Sequence, residues 1–252
     1  MASVTVQVAD HVATILFELA EGRFERNALG ELMAAAEQVG GNTEQVYAVV
    51  VTSSGSGFAE GWSEAALTES VVSGMEPVGA AFDAVAAIPQ PVVAAVSGVV
   101  ESAGMELALA CDIRIAGESA RFAMPETDLG MVPRGGGTQR LPRAIGRAQA
   151  LWLLLTGESI DAAEALRIGL VSAVVSDSEL AATAAAVAAT IASRGPIATR
   201  LAKEAVHRGS EVPLAQGLQT ELDLTVILQT TADRAEGVQA FIEKRPPQFE
   251  NR

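Results

Sequence analysis

Apolar positions along the first 120 residues alternate between short β-type runs and helical spacing. Residues 4–8 and 12–19 carry alternating or β-rich apolar side chains on either side of Ala9, Asp10 and His11, a pattern that predicts a β-hairpin. Residues 28–39 predict a helix with Leu29, Leu32, Met33 and Ala36 on one face and Gly40–Gly41 as its stop. Residues 47–52 form a short apolar run typical of a strand covered on both faces. The alternation then repeats: a Gly/Ser loop over 53–61, a helix over 77–88, a buried strand over 91–96, a loop over 97–102, a helix over 103–110 and a strand over 112–116. That order predicts an α/β chain with right-handed crossovers.

Beyond residue 145 the spacing becomes almost wholly helical, at 147–155, 162–168, 179–192, 197–207, 214–228 and 233–242, with one strand expected at 170–175. The alanine run over 181–189 needs no explanation beyond helix propensity. No linker or internal repeat interrupts the chain. With so many alanines, the C-terminal helices are expected to pack on the α/β core or on another subunit.

Composition narrows the field. The 252 residues are 49% hydrophobic and 19% charged, enough for one large domain, or one with a small appendage, to bury a full core without disulfides or metals. Seventeen Lys and Arg against thirty-one Asp and Glu give a formal net charge of −14 with no basic stripe, which argues against nucleic acid and against an anionic membrane surface as partners. The single cysteine, Cys111, sits in an apolar setting and reads as a buried small side chain. Two histidines, His11 and His207, cannot build a His-rich metal site, so no metal is expected. The N-terminus lacks a signal-peptide pattern, and no apolar stretch reaches the roughly 18 residues of a membrane span. A soluble, cytoplasmic protein is therefore expected.

Two acids stand in unusual places. Glu106 lies in an otherwise uncharged helix, where a carboxylate is costly unless paired, hydrogen-bonded or protonated; the alternative is an acid facing solvent. Glu126 is held between two Gly/Pro-rich turns, where a plain surface acid is the commoner case. Together they can divide acid and base roles if their environments differ. Two loops, 54–62 and 98–104, follow strands and offer backbone N–H groups, the second at a helix N-terminus, where they stabilise negative charge developing on oxygen. Neither loop matches a phosphate-loop or dinucleotide pattern, and Gly135–Gly136–Gly137 lacks the lysine of a phosphate loop.

These segments resemble the signature of the crotonase (enoyl-CoA hydratase/isomerase) superfamily: PVVAAVSG at 91–98, GMELALACD at 104–112, FAMPE at 122–126, LGMVP at 129–133 and GGTQRLPR at 136–143. Leu155–Thr156–Gly157, residues 162–165, Gly169–Leu170–Val171 and FIEKRP at 241–246 extend the likeness, which runs from about residue 12 to the C-terminus. The resemblance implies a spiral core of ββα units over residues 1–194 and a helical region over 195–252 that makes homotrimers, often paired as homohexamers. It implies an acyl-CoA thioester substrate and no bound cofactor, since coenzyme A is part of the substrate. By motif, the backbone amides of Trp62 and Ala103 would hold the thioester oxygen. Glu106 and Glu126 would flank a water molecule, with Glu126 delivering a proton to the α-carbon while Glu106 helps deprotonate the water attacking the β-carbon. Having both acids favours a hydratase or dehydratase over an isomerase. Arg26, Gly61, Phe241 and Lys244 match substrate- and coenzyme-binding positions, whereas Lys203 reads as a solvated surface charge.

Several positions depart from the family pattern. Gly61–Trp62–Ser63 replaces the usual Gly-Ala-Asp, Glu60 adds a carboxylate, and Ser102–Ala103 stand where glycines are common. Arg134 replaces a glycine; its guanidinium would pair with a glutamate, bind a polar group on the substrate, or face solvent. The expected acyl-pocket segment, 67–82, is apolar (Val71, Val72, Met75, Val78). The departures keep open an isomerase, a hydrolase or dehydratase of a cyclic or carboxylated acyl-CoA, and a silent acyl-CoA-binding protein.

Overall fold

A computed structural model describes residues 3–72 and 79–252. The predicted hairpin is present: β1 (Ser3–Ala9) and β2 (Val12–Glu18) pair antiparallel, with Val6 opposite Ile15. Asp10 and His11 both take positive φ at its turn, as a type I′ hairpin loop requires. β2 then begins a parallel array with β4 (Ala48–Ser53), β6 (Val92–Val96), β8 (Ile113–Gly117) and β11 (Ala173–Val175), in the order β1-β2-β4-β6-β8-β11. Two smaller sheets stand apart. One pairs β3 (Arg23–Phe24) with β5 (Gly61–Trp62); the other orders β7 (Val99–Glu101), β9 (Arg121–Ala123) and β10 (Ile160–Asp161) as β10-β9-β7.

The central strands are continuous apolar runs because both their faces are covered. Successive side chains point to opposite sides, so Val49, Val51, Val92, Ala94 and Val96 enter the main core while Ala48, Val50, Val93 and Ala95 meet α8 (Asp177–Ala192). α8 presents Leu180, Ala184 and Ala188, at i, i+4 and i+8, to that second face. Its alanines give a narrow contact stripe that lets the helix lie close to the sheet. On the main side, Phe17 packs edge-on to Phe58 at 5.1 Å and Phe24 edge-on to Phe82 at 5.6 Å.

The other helices are α1 (Arg26–Gly41), α2 (Glu64–Val72), α3 (Ala80–Ala86), α4 (Ala103–Ala110), α5 (Gly137–Ile145), α6 (Arg147–Thr156), α7 (Ala162–Arg167), α9 (Pro196–Ser210), α10 (Leu214–Gln229) and α11 (Ala232–Glu243). The expected face of α1 needs correction. It buries Ala28, Leu32, Ala35, Ala36 and Val39, and Met33 is exposed. The helix expected over 77–88 is α3, and residues 77 and 78 lie outside the described residues. α5 escaped the sequence pattern because it opens on a glycine triplet and carries Pro142, which removes one helical donor. The short strands β3, β5, β7, β9 and β10 have too few residues to display a period. No single helix among the described residues is long and apolar enough to cross a membrane.

Lys203 is not the solvated charge expected. Its Nζ lies 2.7 Å from Asp112 Oδ2 and donates to the carbonyls of Ile88 (2.8 Å) and Gln90 (3.1 Å), with only 10% of the side chain exposed. Asp112 also accepts from Val92 N at 2.7 Å and contacts His207 Nε2 at 3.0 Å. This cluster ties α9 to the sheet through a polar contact that hydrophobic periodicity cannot reveal. Removing one partner of such a pair leaves the other charge poorly solvated. Lys203→Met is therefore expected to cost about 3 kcal/mol, read as a lower urea midpoint with an unchanged m-value.

Candidate active site

β6 ends at Val96, and the chain turns through β7 into α4, whose N-terminus is buried: Ala103 and Gly104 are inaccessible. The first N–H groups of any helix lack intrahelical acceptors. A serine at the N-cap ordinarily supplies one, but Ser102 makes no capping bond. Its hydroxyl instead donates to Glu126 Oε1 at 2.6 Å. The N–H groups at the start of α4 are thus left without a side-chain cap, Ala103 N first among them.

β5 supplies the other amide. Ser63 N donates to Phe24 O at 3.0 Å across the β3–β5 pair. Consecutive N–H groups of a strand point to opposite sides, so Trp62 N turns away from β3. The two amide-bearing loops touch: a Cβ on Gly61 would lie 3.0 Å from the Ser102 Cβ, and Gly61 holds φ +112°. Glycine is needed there for both reasons. Ala59 and Glu101 add a main-chain bond at 2.9 Å between the same loops.

Both expected acids are buried, Glu106 fully and Glu126 to 3% exposure. Glu106, in the second turn of α4, accepts Gly135 N at 2.6 Å and Gly137 N at 2.9 Å on Oε1, while its Oε2 is buried without a hydrogen bond. A Cβ at Gly135 would stand 2.5 Å from the Phe82 ring and 2.7 Å from Glu106 Oε2, which explains a glycine there. Glu126 stands in a short 3-10 turn, Pro125–Leu129; Ser102 holds its Oε1, and its Oε2 is likewise buried without a partner. Each carboxylate therefore keeps one anchored oxygen and one available oxygen.

Burial pushes the Glu106 carboxyl up to about 7, and the nearby charge of Glu126 adds to this; the two backbone N–H bonds and Arg140 oppose it. Arg140 reaches the glycine loop by donating to Gly135 O at 2.7 Å, and its other arm meets Asp83 at 2.5 Å. Trp62 is buried, with ring centroids 5.9 Å from Phe82 and 6.4 Å from Phe24. The Arg134 guanidinium lies 5.4 Å over the Trp62 ring, cation–π geometry rather than a place on a solvated turn. Cys111 is buried and its thiol is pushed up to about 12, as an inert core residue requires.

The remaining expected residues divide. Gly61 is in the amide loop, and Arg26 opens α1 two residues after β3, which pairs with that loop; its side chain is exposed. Phe241 and Lys244 are at the end of α11, which packs on α10; Phe241 is 84% exposed. The chain by itself does not bring these two to the carboxylates. In the expected pocket segment 67–82, residues 73–78 lie outside the described residues, while Phe82 is buried against Phe24 and Trp62. Sequence reasoning assigned no role to Ser102, Gly135, Gly137 or Arg140. Their contacts span 24 to 57 residues or depend on backbone atoms, and no local pattern encodes those.

Parallel strands feeding a buried, uncapped helix end, with two carboxylates beside it, define an α/β enzyme equipped for proton transfer next to a developing oxyanion. The chain belongs to the enoyl-CoA hydratase/isomerase family, whose sequence profile matches residues 15–252. A probable enoyl-CoA hydratase of Mycobacterium bovis is 41% identical over 226 residues, 89% of this chain and 88% of the relative. A probable enoyl-CoA hydratase of Mycobacterium leprae is 51% identical over 172 residues, 68% of this chain and 67% of its own. The crystal structure of enoyl-CoA hydratase from Bacillus anthracis matches with a TM-score of 0.90 at 38% identity, covering 99% of both chains. The crotonase resemblance and the α/β fold expected from the sequence are both borne out.

A raised Glu106 pKa has a consequence for stability. Between pH 4.5, the ordinary value, and about 7 the folded chain keeps a proton that the unfolded chain has lost, so stability falls as pH rises through that window. Glu106→Gln keeps an oxygen for the two amides and removes the charge. It is expected to match the wild type near pH 4.5 and to exceed it at pH 8 by up to about 3 kcal/mol in urea unfolding. An equal difference at both pH values would mean that Glu106 is not the titrating group.

Proposed function

We propose that this enzyme, a hydro-lyase of its family, adds water reversibly and syn across a trans-2-enoyl-CoA, with Glu106 and Glu126 as the proton-transfer pair. The single observation that carries this reading is the pair of buried carboxylates, each with one oxygen anchored and one left for substrate or water. The named hydratase relatives support the same activity. Trp62 N and Ala103 N take the thioester oxygen and stabilise the negative charge that develops there when the β-carbon is attacked. Glu106, tuned towards neutrality, accepts a proton from the attacking water; Glu126 supplies one to the α-carbon. The water's O–H bond breaks, the hydroxyl joins Cβ, the proton from Glu126 joins Cα and the proton taken up by Glu106 returns to Glu126 before the next turnover, so atoms balance without a resident cofactor, coenzyme A entering as part of the substrate.

Arg26 and Gly61 flank the amide loop, where they meet the incoming thioester and its coenzyme. Arg134 holds Trp62 as a wall of the acyl side. Phe241 and Lys244 complete the coenzyme site from a neighbouring copy. Residues 195–252 act as the oligomerisation region of a homotrimer or homohexamer. Leu214, Leu218 and Leu222, at i, i+4 and i+8 on α10, are 55–78% exposed in the single chain, a stripe that needs a partner. The cytoplasm is the proposed location.

With crotonyl-CoA, the wild type is expected to bleach the conjugated enoyl-thioester absorbance, and Glu126→Gln to lose at least about 10²-fold in kcat while still binding acyl-CoA. Near wild-type turnover in that variant would remove Glu126 from the mechanism. Because Glu106 must be ionised to act as base, kcat/KM is expected to rise with pH and level off above about 7. The double change Leu218→Glu, Leu222→Glu is expected to reduce the light-scattering mass to that of one chain.

A further inference from the structure

Ser102 combines two features that conflict unless its side chain has a task. Its φ and ψ, 50° and −115°, are those of the first central position of a type II′ turn, where glycine is strongly favoured. A serine there carries backbone strain that a glycine would not. Its hydroxyl, which at a helix N-cap would normally bond the helix itself, crosses 24 residues of sequence to donate to Glu126 Oε1 at 2.6 Å. Both side chains are buried, with Ser102 8% exposed and Glu126 3% exposed. The main chain of Ser102 is tied on both sides, its N–H to Ala123 O at 3.1 Å and its carbonyl to Glu106 N at 2.9 Å. The hydroxyl that holds Glu126 therefore stands on a main chain tied at both its N–H and its carbonyl.

We propose that Ser102 is a positioning residue for proton transfer: its hydroxyl locks one oxygen of Glu126 and so aims the other at the α-carbon of the substrate. The glycine loop performs the equivalent task for Glu106 with two backbone N–H groups. Among the described residues Glu126 receives no such amides, and a side-chain hydroxyl on the neighbouring turn takes their place. Without it the Glu126 carboxyl is free to rotate, and the productive orientation becomes one of several.

This inference rests on the proposed role of Glu126, so the test compares Ser102→Ala and Ser102→Gly with Glu126→Gln, using crotonyl-CoA. Both Ser102 variants lose the hydroxyl; only glycine relieves the strained φ. Each is expected to lose about tenfold in kcat with KM within twofold, as a group acting only in the transition state does. The glycine variant is expected to melt about 2–4 °C above the alanine variant. Activity that follows only the hydroxyl while stability follows the backbone separates positioning from a structural role. A Ser102→Gly enzyme with kcat within threefold of wild type, or a loss confined to KM, overturns the proposal, even if Ser102→Ala fails to fold. A fully active Glu126→Gln enzyme overturns the underlying mechanism instead.

Discussion

Two carboxylates buried in one site impose the constraint to which the surrounding structure answers. A carboxylate taken out of water must be given donors, or it holds a proton instead. Glu106 receives two from the Gly135–Gly137 loop and Glu126 receives one from Ser102. These bonds set the geometry of everything nearby. Gly135 has no side chain because a Cβ would collide with Phe82 and Glu106, and Arg140 braces the carbonyl of the same residue. Gly61 has none because Ser102 occupies the space.

The donors are incomplete by one oxygen on each acid. Full satisfaction would stabilise the ionised pair, whereas the residual desolvation leaves Glu106 able to exchange a proton near neutrality. The uncapped start of α4 repeats the pattern: a serine stands at the cap position but spends its hydroxyl elsewhere, leaving the first N–H groups of the helix without a side-chain cap. Stability is withheld at the atoms where chemistry is expected, and is recovered in the core packed beneath them.

That core lies on both faces of the parallel sheet. Alternation along β4 and β6 sends one set of side chains to the phenylalanine cluster and the other to the alanine stripe of α8. The sheet thereby fixes where β6 ends, and with it where α4 begins. The Lys203–Asp112 contact binds the C-terminal helices to the same strands, next to the chain entering β8. Trp62 and Arg134, the most conspicuous departures from the family pattern, meet each other: the indole packs into the phenylalanine cluster and the guanidinium lies over its ring.

The amino-acid sequence by itself determined the long elements, their α/β order and the family, and singled out both acids as candidates, because hydrophobic period and contiguous motif are local properties of the chain. Residues 103–110 were legible as a helix to the residue, and Glu106 stood out as the only charge on it. Two-residue strands, α5 with its Pro142 and the exposed side of Met33 were not legible, since nothing within a few residues distinguishes them. Nor was the buried ion pair of Lys203, whose partner is 91 positions away. The roles of Ser102, Gly135, Gly137 and Arg140 were decided only by the tertiary structure. Each depends on a hydrogen bond or a close approach between segments far apart in sequence, Arg140 through its bond to Asp83, and such contacts exist only once the chain has folded.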